Sequence, residues 1–75
     1  MRATINYPCA DGATRTITAD VDERRVEITQ DDVLVGFGGW VGGHIVDGAA
    51  RLGAPDGSDT EAIYAALDAA IARAS

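Results

Sequence analysis

The stretch TITADVDERRVEIT, Thr16–Thr29, decides the fold. Ile17, Ala19 and Val21 alternate with Thr16, Thr18 and Asp20, and Val26 and Ile28 alternate with Arg25, Glu27 and Thr29. A period of two marks strands with one buried face. Placing Ile17 opposite Ile28 also sets Ala19 opposite Val26 and Asp20 opposite Arg25, with Val21–Arg24 as the loop. The apolar pairs then share a face and the charged pair is complementary.

The same logic extends in both directions. Towards the N-terminus, Ala3, Ile5 and Tyr7 alternate with Thr4 and Asn6, and Pro8 and Asp11-Gly12 mark a turn. With Ile5 opposite Ile17, Tyr7 faces Arg15 and Ala3 faces Ala19. Towards the C-terminus, Ile28 opposite Val33 and Val26 opposite Val35 make a third hairpin around Thr29-Gln30-Asp31-Asp32. The sequence thus predicts a four-stranded antiparallel meander. Its inner face runs from Ala3, Ile5 and Tyr7 to Val33, Val35 and Phe37, and its outer face is threonine-rich and charged.

Residues 58–74 read as a helix. Ser58 and Glu61 have capping-box spacing, Asp59 and Arg73 suit the two ends of the helix dipole, and Ile63, Leu67 and Ile71 form a stripe beside Ala66, Ala70 and Ala74. Between sheet and helix two readings compete. Gly38-Gly39 can turn a further hairpin, or Val41, Ile45, Ala49 and Leu52 form a helical stripe ending at Gly53. The preferred reading is a short helix from about His44 to Leu52, although Gly48 within it disfavours helix. The expected class is α+β, a single domain over residues 1–75, with the meander packed on the C-terminal helix and a possible second short helix.

Charge is unevenly placed. Twelve carboxylates face six arginines, there is no lysine, and residues 20–32 alone carry −4 of the net −6. Such a field attracts basic partners and repels nucleic acid and anionic lipid. A chain of 75 residues buries only roughly 60% of its unfolded surface, so its stability is modest. Cys9, the sole cysteine, has no internal disulfide partner, and no secretory signal is visible, which leads to an expected cytoplasmic location. The longest uncharged run, Val33–Val46, contains five glycines and falls short of the about 20 apolar residues a membrane helix requires.

No motif for catalysis emerges. Gly36-Phe37-Gly38 lacks the third small position and the βαβ unit of a dinucleotide site, and its glycines read as turn and packing positions. Cys9, His44 and Asp47 are the residue types of a thiol triad without a local signature. One cysteine and one histidine cannot close a zinc site, and neither acidic run has calcium-loop spacing. The expectation is therefore a non-enzymatic domain without cofactor or metal.

Surface recognition remains. Asp20, Asp22, Glu23, Glu27, Asp31 and Asp32, with Trp40, are the candidate partner-binding residues. In format, a very short acidic domain without catalytic groups, the chain resembles phage-encoded inhibitors, including anti-CRISPR proteins and DNA mimics. The likeness carries over no signature residue. It implies a viral protein that blocks a basic nucleic-acid-binding surface of a partner protein, without binding nucleic acid or membrane itself. The alternative is a homo-oligomeric or accessory subunit assembling through Phe37, Trp40, Leu34 or the alanine-rich helix face.

Overall fold

The computed structural model describes residues 1–47 and 57–74, with side chains from Thr60 onward in the second segment. Five strands, β1 (Arg2–Pro8), β2 (Thr14–Asp20), β3 (Arg25–Gln30), β4 (Val33–Val41) and β5 (His44–Val46), precede one helix, α1 (Gly57–Ala74). The strands form one antiparallel sheet in sequence order, a meander. The class is α+β, as expected, with one strand more than the sequence predicted.

The first two hairpins have the expected registers. Ile5 pairs with Ile17, Tyr7 with Arg15 and Ala3 with Ala19, while Ile17 pairs with Ile28, Ala19 with Val26 and Asp20 with Arg25. In the first turn Gly12, at φ 87°, donates its N–H to the Cys9 carbonyl at 3.0 Å, and Asp11 accepts from the Ala13 N–H at 2.9 Å. Alternation places Ala3, Tyr7, Ile17, Ala19, Val26 and Ile28 on one buried face.

The third hairpin departs from expectation. Gln30 pairs with Val33 around a two-residue Asp31-Asp32 turn, and a bulge at Val35 makes Ile28 pair with Gly36 and Val26 with Gly38. Val33 and Phe37, expected inside, are exposed, and Val35 is only half-buried. The cause is parity. Phe37 and Trp40 lie three residues apart, so a strand with a period of two cannot bury both. Burial goes to Trp40, the larger group, at 8% exposure, while Phe37 is 58% exposed on the opposite face.

The expected helix from His44 is also corrected. His44–Val46 is β5, paired with Gly39–Val41 through a turn at Gly42-Gly43 whose φ values are 59° and 82°. Two consecutive left-handed residues are what a tight two-residue hairpin demands, and two glycines supply them without steric cost. The turn thus sits at Gly42-Gly43 rather than at Gly38-Gly39. The remainder of that expected helix, through Leu52, lies outside the described residues.

Helix α1 packs mainly against β1 and reaches β2. It buries Ile63, Tyr64, Leu67 and Ala70, with Ile71 half-buried, whereas Ala66 and Ala74 are exposed. Tyr64 extends the predicted stripe, meeting the indole of Trp40 edge-on at 6.2 Å between centroids. The capping side chains of Ser58 and Asp59 lie outside the described ones. No helix among the described residues is long and apolar enough to cross a membrane.

Candidate functional site

The outer face of the sheet has two chemistries. Across β1 and β2 it is polar and internally satisfied: the Thr4 and Thr18 hydroxyls lie 3.2 Å apart, and the Thr16 hydroxyl donates to Asn6 Oδ1 at 2.7 Å. Across β4 and β5 it is apolar. Leu34, Phe37, Val41 and Val46 are all largely exposed, and the pairing of Leu34 with Thr29, Phe37 with Glu27 and Val46 with Gly39 assigns them to this face. At Gly39 a Cβ would meet Val46 Cγ2 at 2.9 Å, so a larger residue there requires the exposed Val46 side chain to shift.

β3 separates the halves with Arg25 and Glu27. The Arg25 guanidinium lies 5.3 Å from the Phe37 ring centroid, and its Nε is 3.7 Å from Glu27 Oε1. One arginine therefore neutralises a predicted binding carboxylate and also covers an exposed ring.

The predicted acids fall into two groups at opposite ends of the strands. Asp20 accepts the Glu23 N–H at 3.3 Å and lies 3.4 Å from Arg2 Nε. The Glu23 backbone bond first, and the Arg2 side chain with it, hold the Asp20 carboxyl below its ordinary value. Asp22 pairs with the N-terminal ammonium, whose pKa that contact raises. Asp20, Glu23 and Glu27 line a recess of about 430 Å³ shared with Arg2, Thr18 and Arg25. This is a mixed-charge surface. Three of the six acids are thus compensated within the chain.

Asp31 and Asp32 differ. They form the β3–β4 turn at φ 53° and 64°, are exposed, and make no ion pair among the described residues. Neighbouring carboxylates repel, and left-handed backbone favours Asn-Gly or Asp-Gly over Asp-Asp. The turn is not optimised for stability. Trp40, predicted to bind a partner, is a core residue and presents little surface.

Sequence reasoning named Leu34 and Phe37 as an assembly surface but missed Val41 and Val46 on the same face, and it missed that Asp47 lines a recess of about 330 Å³ with Leu34, Val35, Gly36 and Phe37. The opposed parity of Phe37 and Trp40 was the available signal. The register also separates Cys9, buried beyond β1, from His44, which is exposed at the far end of the strands with its ring 6.2 Å from Tyr64. Among the described residues no group of three or more His, Cys, Asp or Glu side chains could hold a metal ion. Comparison with known protein families, curated proteins and solved structures finds no match to the chain.

Proposed function

We propose that this chain is a small acidic protein-binding domain that docks the outer face of β4 and β5 on a basic surface of a partner protein and inhibits that partner by occupying it. The observation that carries this reading is the exposure together of Leu34, Phe37, Val41 and Val46 on one sheet face, beside Asp31, Asp32 and Asp47. Fully burying an apolar side chain of this size contributes about 1.5–3 kcal/mol, enough for such a patch to anchor a complex. Carboxylates around an apolar centre then select a basic rim and speed encounter.

Imitation of nucleic acid, in the manner of a DNA mimic or an anti-CRISPR protein, is a narrower form of this proposal. It draws on Asp31, Asp32 and Glu23, the candidate acids that make no ion pair among the described residues, more than on Asp20, Asp22 and Glu27. The test is capture of a host partner at low and high salt, followed by competition with duplex DNA or RNA. Phe37→Ser should weaken capture at every salt concentration. Asp31→Asn with Asp32→Asn should weaken it at low salt only, and nucleic acid should displace the chain. Capture indifferent to all three would sink the reading.

The same patch supports homo-oligomeric assembly as a second reading, and the −6 charge on each copy opposes it. Light scattering over a range of concentrations separates the two.

A further inference from the structure

Among the described residues, most of the far edge of β4 is unpaired. β4 pairs with β3 from Val33 to Gly39, but β5 covers only Gly39–Val41. From Val33 to Gly38, no strand among the described residues pairs with the other edge. The Trp40 N–H donates to the Arg24 carbonyl on the β3 side at 3.0 Å, so alternation along the strand turns the backbone N–H and C=O of Phe37 towards that edge. The recess lined by Leu34, Val35, Gly36, Phe37 and Asp47 opens beside it.

Sheets ordinarily blunt such an edge with charge, proline or a bulge. Val33–Gly38 has no charge and no proline, and only the bulge at Val35 interrupts it. Unpaired main-chain groups flanked by exposed apolar side chains are the elements of strand addition, in which backbone bonds supply affinity and alternate side chains supply selectivity.

We infer that the partner contributes an extended segment that adds to the β4 edge as a strand, apolar at alternate positions and bearing Lys or Arg between them. Its apolar residues extend the surface of Leu34, Phe37 and Val46, and its cations meet Asp47 and the Asp31-Asp32 turn. Charge complementarity selects this occupant over a second copy, which would bring another −6 to the edge. The inference rests on the protein-binding reading above and specifies its geometry.

The probe is a peptide of about eight residues alternating valine and lysine, titrated into the isotope-labelled chain, with two versions N-methylated on either alternate set of amides. Amide exchange at Phe37 should slow roughly tenfold or more at saturation. Methylation of one set should abolish binding and methylation of the other should leave it intact. Phe37→Pro removes the outward N–H as well as the ring, without removing a bond to β3, so it should abolish peptide binding where Phe37→Ala only weakens it, both with an unchanged circular dichroism spectrum. Should the proline variant not fold, the methylation pair decides.

Equal binding of both methylated peptides would overturn strand addition and leave acidic docking standing, provided salt still weakened the complex. A Phe37 amide already protected in the free protein would mean that the chain covers its own edge. Protection that grows with protein concentration would name a second copy as the occupant. Either result overturns the inference.

Discussion

The two halves of the sheet use the same strand chemistry to opposite ends. In β1–β3, alternation buries Ile17, Ala19, Val26 and Ile28 completely and turns threonines and paired charges outward. In β4 and β5, a bulge and a run of glycines bury one large residue per strand, Trp40 and Ile45, and leave Leu34, Phe37, Val41 and Val46 outside. A domain this small has few apolar groups to spare. The contrast therefore divides the molecule into a half that holds the fold and a half that leaves apolar surface exposed, the half proposed to bind.

Trp40 and Phe37 give the largest test, because they share a strand and differ in face. Trp40→Ala should cost about 3–5 kcal/mol through the cavity it opens beside Tyr64 and Ile45, enough to leave the chain largely unfolded. Phe37→Ala should cost under about 1 kcal/mol, mainly the contact with Arg25. Urea unfolding measures both. Equal costs would erase the distinction between the halves.

Within the core half, Tyr7 is 5% exposed and its hydroxyl has no hydrogen-bond partner among the described residues. Burial first, then the neighbouring Cys9, push its pKa up to about 12 against the lowering effect of Arg15. The neutral phenol is the form the fold accepts. Stability is therefore unaffected below pH 10, where the unfolded phenol is also protonated, and falls as pH rises towards 12 by about 1.4 kcal/mol per unit. The chain has no lysine to titrate in that window. Tyr7→Phe should remove this contribution to the alkaline decline and be neutral or slightly stabilising near pH 7, since no bond among the described residues is lost. Urea unfolding from about pH 9 to about 11.5 checks this, and a decline as steep in the variant as in the parent would contradict it.

The same division explains which parts of the fold were legible. The first two registers follow from residues alone because Ile17, Ile28, Ala19 and Val26 allow only one pairing that keeps apolar groups on one face. β4 gives no such constraint. Val33, Val35 and Phe37 alternate as convincingly as Gly36, Gly38 and Trp40, and the choice depends on Tyr64, far along the chain, receiving the indole. His44–Val46 was misread as helix because Val41 and Ile45 lie four apart, a spacing that Gly42-Gly43 interrupts with a turn. The acids were visible as a cluster, but their neutralisation by Arg2, Arg25 and the N-terminus was not. Ion pairing depends on register as well as composition.

The Asp31-Asp32 turn tests the half proposed to bind, at smaller magnitude. Asp32→Gly relieves one left-handed residue and should stabilise the chain by roughly 1 kcal/mol. The same change should weaken capture of a basic partner at low salt. A variant that gains stability and keeps full binding would show that the turn serves neither end.

Asp20 supplies the smallest effect and the cleanest contrast with that turn. Its carboxylate accepts the Glu23 N–H and meets Arg2, so its pKa lies below the ordinary 3.8. A depressed carboxylate contributes stability that is present above pH 3.8 and lost as pH falls through its folded value. Asp20→Asn should therefore be slightly less stable than the parent at neutral pH, with the difference closing in acid, and should bind a basic partner almost as well because Arg2 already screens that charge. Asp31→Asn with Asp32→Asn should do the reverse at the level of binding, weakening it at low salt. If the two sites exchanged these behaviours, the carboxylates near Arg2 would be the docking surface and the division of the sheet drawn here would be inverted.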